Sequence, residues 1–376
     1  MHPSGFLRVR IQARPVFGWV MRMRWLWILP LAVAMTIVWL SAQSHYPGGL
    51  ELPPPLDKVA HATVFGALAW VMDLALQRNQ PELPLYRRHL LVFVTVSLYG
   101  ATDEWHQLFV PGRSCEWGDW VADTLGGGLG IFLGSLHLIF TRRLGALSWS
   151  RGTARRFDSA RDLILVADPH WGSEPTGLVD ATATFPKADW LFLGDVFDVW
   201  VGIPGMETEA QRAFLDWVAA RRAAGRWVGL WMGNREYFLD RHAARFDLMG
   251  EGLGGNLEGE NLTWEHGDLI NTADRQYRLW NLVSRSGPLW LLFRLMPGGT
   301  AREVSAWMER KLHTTNASYK LAFPRMAFRA AAEAHTGSTF LTGHFHTHEV
   351  EANGIALPWA HEGRFMVWRN GKVEAL

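Results

Sequence analysis

A chain of 376 residues that is 48% hydrophobic and 19% charged is long enough for two domains and apolar enough to bury large cores. Its formal net charge of +1 excludes the basic balance of a general nucleic-acid binder, and its single cysteine, Cys115, excludes an intramolecular disulfide framework. These averages hide a division. Before about Arg142 the apolar runs are long, whereas after Arg161 short apolar runs alternate with acidic, histidine-rich and glycine-rich turns.

In chain order, apolar stretches at residues 25–41, 60–76, 90–99 with its flanks, and 120–140 predict four membrane-spanning helices, since roughly twenty residues cross the hydrocarbon core. The third is the weakest, because a short apolar run meets Asp103 and Glu104. Arg8, Arg10, Arg14, Arg22 and Arg24 precede the first stretch, Arg78, Arg87 and Arg88 separate the second and third, and Arg142 and Arg143 follow the fourth. The alternate loops hold Glu51, Asp57, Glu104, Glu116 and Asp119, so both termini are expected in the cytoplasm. A cleaved signal peptide ending near Ser41-Ala42-Gln43 is the competing reading of the first stretch; the later stretches and the arginine-bearing lead weigh against it. Met21 and Met23 are alternative translation starts.

Polar and ionisable groups near hydrocarbon are costly unless paired or wet, which draws attention to Asp57, Lys58, His61, Asp103, Glu104, His106, Gln107, Arg113, Asp119 and Asp123. The patterns Asp57-Lys58-Val59-Ala60-His61 and Glu104-Trp105-His106-Gln107-Leu108-Phe109-Val110-Pro111-Gly112-Arg113, followed by Asp119 and Asp123, make residues 20–141 resemble the VanZ-like membrane family. The segment departs from that pattern at Thr124, where Asn is common. The resemblance implies a small helical membrane domain, linked in some members to glycopeptide resistance. Whether the polar groups hold the helices in register, or form a functional site such as a Glu–His metal site, stays open from sequence.

Residues 142–161 read as a solvated linker whose Arg151, Arg155, Arg156 and Arg161 can also meet anionic lipid headgroups. Residues 162–376 then predict a layered α/β domain. Strands are expected at 163–167, 190–193, 227–232 and 262–265, helices at 207–224 and 236–248, and hairpins at Asn353-Gly354 and Asn370-Gly371. The apolar stretch 287–296 is too short to span a bilayer; a helical cap over the site, able to hold acyl chains, and an ordinary amphipathic core helix are the two readings.

Each expected strand delivers a ligand-type residue at its carboxyl end, where sites form in α/β sheets. In order the ligand-type stretches are Asp168-Pro169-His170, Gly194-Asp195-Val196-Phe197-Asp198, Gly233-Asn234-Arg235-Glu236, His266-Gly267-Asp268 and Gly343-His344-Phe345-His346, the first four of them at those ends. Carboxylate, imidazole and amide oxygen without thiolate suit manganese, iron or zinc, and two such ions can activate water and neutralise phosphate oxygens.

The ordered set resembles the calcineurin-like metallophosphoesterases. More narrowly, Gly233-Asn234-Arg235-Glu236-Tyr237-Phe238, with Arg where most of that superfamily has His, and His266-Gly267-Asp268-Leu269-Ile270-Asn271-Thr272-Ala273-Asp274-Arg275-Gln276-Tyr277 resemble the UDP-2,3-diacylglucosamine hydrolases of lipid A synthesis. That resemblance implies two metal ions, with Mn2+ expected, cleaving the pyrophosphate of a nucleotide-linked glycolipid at a membrane surface, with no nucleic acid partner. It implies Asp168, His170 and His346 around one ion, Asn234, His266 and His344 around the other, and Asp195 bridging. Arg235 would hold phosphate oxygens, Asp274 and Tyr277 would orient nucleotide or sugar, and Asp198 would support the loop from outside the ligand set. Pro169, Ala273 and Thr347-His348 depart from the family pattern. His348, His242, His313 and His361 are expected outside the ligand set. Two alternatives remain: another nucleotide diphosphate or phosphodiester as substrate, or a lipid-binding or resistance module whose hydrolase domain is regulatory.

Overall fold

A computed structural model describes residues 24–44, 56–80, 82–140, 149–152, 157–172, 177–252, 254–257, 261–271, 274–297, 299–300, 303–304, 307–308, 323–360 and 364–376. Arg8, Arg10, Arg14, Met21, Arg22, Met23, Glu51, Arg142, Arg143, Arg155, Arg156, Thr272, Ala273, His313 and His361 lie outside the described residues. Contacts divide the chain into two compact units, one of residues 15–146 with 286–288 and the other chiefly of residues 147–285 with 289–376.

The first unit is helical: α1 (Ile28–Ser41), α2 (Leu56–Asn79), α3 (Leu85–Gln107) and α4 (Trp117–Phe140). The third expected apolar stretch becomes a longer helix because its polar ends find partners. Arg88 Nε donates to Asp73 Oδ1 at 2.8 Å with both side chains 3% exposed, so the charge is carried inside the unit rather than ending the helix. Among the described residues, one helix, Leu56–Asn79, is long and apolar enough to cross a membrane by length and composition, and Ile28–Ser41 is apolar but shorter. Helices α2 and α4 touch backbone to backbone. A Cβ at Gly126 would fall 2.1 Å from the Ala62 carbonyl oxygen, and one at Gly130 would fall 2.0 Å from that of Gly66. The four-residue spacing of these glycines along α4 is what lets the two helices approach.

The second unit contains strands β1 (Trp149–Gly152), β2 (Leu163–Val166), β3 (Asp189–Phe192), β4 (Trp200–Val201), β5 (Val228–Met232), β6 (Glu236–Tyr237), β7 (Leu248–Glu251), β8 (Gly255–Leu257), β9 (Leu262–Glu265), β10 (Thr339–Thr342), β11 (Glu349–Glu351), β12 (Gly354–Ala356), β13 (Met366–Arg369) and β14 (Lys372–Ala375). Its helices are α5 (Leu178–Thr184), α6 (Glu209–Ala223), α7 (Arg275–Ser284), α8 (Gly287–Leu295) and α9 (Arg325–Glu333). Among the described residues a seven-stranded sheet runs β1-β7-β5-β3-β2-β13-β14 and a five-stranded sheet runs β11-β12-β10-β9-β8. Strands β2, β3, β5 and β7 are mutually parallel, as are β9, β10 and β12.

Strand β2 is buried on both faces, which is why it reads as an unbroken Leu163-Ile164-Leu165-Val166 run rather than an alternating one. Leu163 and Leu165 join Trp231, Trp264 and Leu341 in a core shared by the two sheets, while Ile164 and Val166 join Phe192 and Phe214 in a second core on the opposite face. Helix α6 covers that second core. It starts at a capping box in which the Thr208 side chain accepts from the Gln211 amide at 3.2 Å and the Gln211 side chain accepts from the Thr208 amide at 3.1 Å.

Two expectations are corrected. Residues 149–152, read as part of a linker, form β1, which pairs antiparallel with β7, and Phe157 is buried in the shared core. An edge strand of four residues that includes Ser150, Arg151 and Gly152 has the composition of a linker, so pairing rather than sequence identifies it. Residues 236–248, read as a helix, instead form β6, a 3-10 turn at Leu239–Arg245, and the start of β7. Phe238 sits at φ 57°, in the left-handed region, and this breaks any helix begun at Glu236. Both Asn-Gly pairs do lie at hairpins. Asn370-Gly371 joins β13 to β14 with φ of 51° and 79°, while Ala352-Asn353 forms the turn from β11 to β12 and Gly354 begins β12.

Candidate metal centre

The parallel strands β2, β3 and β5 of one sheet and β9 and β10 of the other end at a common place, and the residues after those ends are the ligand types singled out from sequence. Asp168, His170 and His346 each offer one ligand atom within 4.8 Å of the others, and so do Asp195, His266 and His344. In the first group the Nε2 atoms of His170 and His346 lie 3.2 Å apart. In the second, Asn234 Oδ1 is 3.0 Å from His266 Nε2 and 3.1 Å from His344 Nδ1.

Asp195 faces both groups. Its Oδ2 is 3.8 Å from His170 Nε2, and its Oδ1 is 3.6 Å from His266 Nε2. Asp168 is fully buried; its Oδ1 lies 3.9 Å from His266 Nε2 and 3.8 Å from His346 Nε2 and has no hydrogen-bond partner. An unpartnered carboxylate oxygen at zero exposure costs several kcal/mol unless a cation meets it. The donor set of carboxylates, imidazoles and one amide oxygen fits divalent ions of the manganese-to-zinc class.

The backbone is bent to make this convergence. Asp168, His170, Asp195, His344 and His346 all have positive φ, between 45° and 66°, a conformation disfavoured for side chains with a Cβ and concentrated here at the strand ends. Gly233 is required by close approach, because a Cβ there would lie 2.4 Å from Asp195 Oδ1. The strain is held by hydrogen bonds. The His344 amide donates to Asp168 Oδ2 at 2.6 Å and the Arg235 amide donates to Asp195 Oδ1 at 2.9 Å.

The imidazoles are not equivalent. Burial lowers His170 to about 3 and His344 to about 4, which keeps both neutral and available as ligands at neutral pH. Burial acts the same way on His266, but Asp195 and Asp168 outweigh it and raise that group to about 9. His266 Nδ1 donates to the Leu193 carbonyl at 2.8 Å, which turns Nε2 toward Asn234 and Asp195. A cation binding at Nε2 would therefore displace a proton.

Other expected residues fall in several places. Arg235 is 6% exposed, with Nε 3.9 Å from Asp195 Oδ2 and Nη1 donating to the Asp198 carbonyl at 3.2 Å. Asp198 Oδ1 lies 3.7 Å from His170 Nδ1, outside both groups. Asp274 caps α7, accepting from the Tyr277 amide at 2.8 Å, and the Tyr277 hydroxyl donates to Asp268 Oδ2. His242 is buried against Glu207 Oε1 at 3.2 Å, and His348 is exposed.

Sequence reasoning gave no role to Glu236 or Arg285. Glu236 is fully buried, and its carboxylate accepts from the amides of Asp195 at 2.9 Å, Val196 at 2.7 Å and Gly233 at 2.8 Å. It ties the loop after β3 to the loop after β5. Arg285 pairs with Glu251 and donates through Nη2 to the Gly233 carbonyl at 2.6 Å. The signal for Glu236 was a single carboxylate between the ligand loop and an apolar run; for Arg285, within a helical pattern, there was none.

Residues 11–140 match the family model described as VanZ/LLP1. The rest of the chain is similar to curated proteins named UDP-2,3-diacylglucosamine hydrolase. The one from Aeromonas salmonicida (strain A449) is 30% identical over 142 residues, 35% of this chain and 56% of that protein. The one from Stutzerimonas stutzeri (strain A1501) is 27% identical over 208 residues, 51% of this chain and 86% of that protein. The one from Aeromonas hydrophila is 24% identical over 233 residues, 56% of this chain and 95% of that protein.

Proposed function

We propose that this chain is a membrane-anchored two-metal hydrolase that cleaves the pyrophosphate of UDP-2,3-diacylglucosamine with water, giving UMP and 2,3-diacylglucosamine 1-phosphate. The observation that carries the reading is the placement of Asp195, whose two carboxylate oxygens face two separate ligand groups. The names of the similar proteins supply the substrate.

In this reading Asp168, His170 and His346 hold one ion, Asn234, His266 and His344 hold the other, and Asp195 serves both. When bound, a pair of ions, proposed here as Mn2+, activates water and neutralises phosphate oxygens. The chain's own groups do the rest. Arg235, held with its guanidinium beside Asp195, engages phosphate oxygens through its planar donor fork. Neutral His170 and His344 leave their ring nitrogens free for ligation at physiological pH. Tyr277 and Asp274 order the start of α7 and bring its first turn to the site, with the Tyr277 ring 6.5 Å from that of His344. Leu279, Trp280 and Val283 on α7 and Leu291, Leu292 and Leu295 on α8 are exposed, an apolar surface suited to acyl chains rather than to a water-soluble nucleotide alone.

In this reading the helical unit anchors the enzyme through four spans with the hydrolase unit in the cytoplasm; the VanZ/LLP1 match supports membrane association, and the arginine distribution supports the orientation. The test is incubation of purified full chain with the diacylated UDP-sugar and Mn2+, scored by mass spectrometry. Release of UMP with the lipid monophosphate is expected. Unchanged substrate alongside turnover of a simple phosphodiester would overturn the substrate assignment and leave only a related hydrolase.

A further inference from the structure

The helical unit contains a second convergence of ligand-type groups, far in sequence from the hydrolase loops. His61 on α2, Glu104 on α3 and Asp123 on α4 each offer a ligand atom, and these atoms lie within 4.8 Å of one another. Around them the charges are unevenly matched. Lys58 takes Asp119 and Glu116, hydrogen-bonding the latter at 2.7 Å, and lies 3.3 Å from Asp57. The two inner carboxylates are left to the imidazole. His61 Nδ1 is 3.0 Å from Asp123 Oδ1, and among the described residues no lysine or arginine lies within ion-pair distance of Glu104 or Asp123.

Both carboxylates are buried, Glu104 at 4% exposure and Asp123 at 0%. Glu104 Oε2 accepts from the Glu116 amide at 2.7 Å and Oε1 from the Gln107 side chain at 3.4 Å. Asp123 Oδ2 has no hydrogen-bond partner. The fold makes room for that oxygen: Gly100 precedes Glu104 by one turn of α3, and a Cβ there would fall 2.9 Å from Asp123 Oδ2. A single imidazole can offset one negative charge at most, and burying a second carboxylate costs several kcal/mol. A divalent cation neutralises both.

We propose that His61, Glu104 and Asp123 form a binding site for one divalent cation of the manganese-to-zinc class, distinct from the two-ion centre of the hydrolase unit. One nitrogen and two carboxylate oxygens are the mixed, thiolate-free donors such ions accept, and three protein ligands leave a position open for water or an anion. Helix-borne ligands from α2, α3 and α4 tie together three successive helices, so the ion also locks the bundle.

The experiment removes the hydrolase ions first. Full-length protein in detergent carrying Asp168→Ala, Asp195→Ala and His344→Ala is stripped with chelator, reloaded with Zn2+ or Mn2+, and desalted for elemental analysis. Retention of one ion per chain is expected, with at least tenfold weaker binding when Glu104→Gln or Asp123→Asn is added. These near-isosteric changes are checked for monodispersity, and if one fails to fold the other decides. Absence of any retained ion, meaning that the buried carboxylates are neutralised by protons, overturns the site; so does an ion retained undiminished in both variants. Because the readout is ion content without hydrolysis, it is independent of the substrate assignment.

Discussion

Glu236→Gln is the perturbation that most sharply separates a carboxylate holding the ligand loops from a bystander. The native carboxylate accepts three amides, two through Oε2 and one through Oε1, at 2.7 to 2.9 Å. Charge-assisted bonds of this kind contribute about 1.5–3 kcal/mol each. Burial and the neighbouring Asp195 push the group up to about 7, against which the three amides and any cations in the centre favour the ionised form. Glutamine keeps one acceptor oxygen but turns an amide donor toward a backbone N–H. The expected loss is therefore about one charged bond plus a donor–donor clash, on the order of 2–4 kcal/mol. Part of it appears as lower stability and part as displacement of Asp195, whose own amide is one of the three donors. The assay pairs Mn2+ affinity and phosphodiester turnover with circular dichroism. Retained secondary structure with at least tenfold weaker metal binding and turnover is expected; wild-type affinity and rate would refute the role given to the loop carboxylate.

Asp195→Ala should reduce hydrolysis and metal content far more than Asp198→Ala, because Asp195 faces both ligand groups whereas Asp198 lies beside His170 outside them; equal, small losses in turnover would contradict the two-group assignment. Asp189 is buried and accepts from the Trp227 amide at 2.9 Å, and burial raises it to about 6 from 3.8, so the folded state binds the extra proton and stability falls as pH rises from about 4 to 6. Asp189→Asn, which keeps the acceptor, should then raise the melting temperature at pH 7 by an amount that disappears near pH 4, with a ceiling of about 3 kcal/mol; a gain equal at both pH values would contradict it. A reporter fused after Leu376, and another within residues 77–88, should both behave as cytoplasmic. Activity of either only on the far side would overturn the topology.

The loops that carry the candidate ligands were legible as strand-end loops because chemistry constrains them locally. Asp168, Asp195, Asn234, His266 and His344 follow strand ends that read directly as apolar runs such as Leu163-Ile164-Leu165-Val166. What was not legible depends on partners distant in sequence. Strand β1 is identified by β7, about a hundred residues away, and not by its own arginine and glycine. The expected helix at 236–248 scored on apolar spacing, but Phe238 turns left-handed and Glu236 points into the ligand loops, a tertiary demand that local propensity does not register. In the helical unit, the polar residues were visible as costly but their grouping was not. Only the packing of α2, α3 and α4 brings His61, Glu104 and Asp123 together.

Whether one carboxylate serves two ions is read most directly by anomalous diffraction at the manganese edge from crystals of the Mn2+-loaded protein. Two peaks about 3.5–4 Å apart are expected in the hydrolase unit, one against Asp168, His170 and His346, the other against Asn234, His266 and His344, with Asp195 reaching both. A single peak there, or two peaks of which Asp195 touches only one, would contradict the bridging by Asp195.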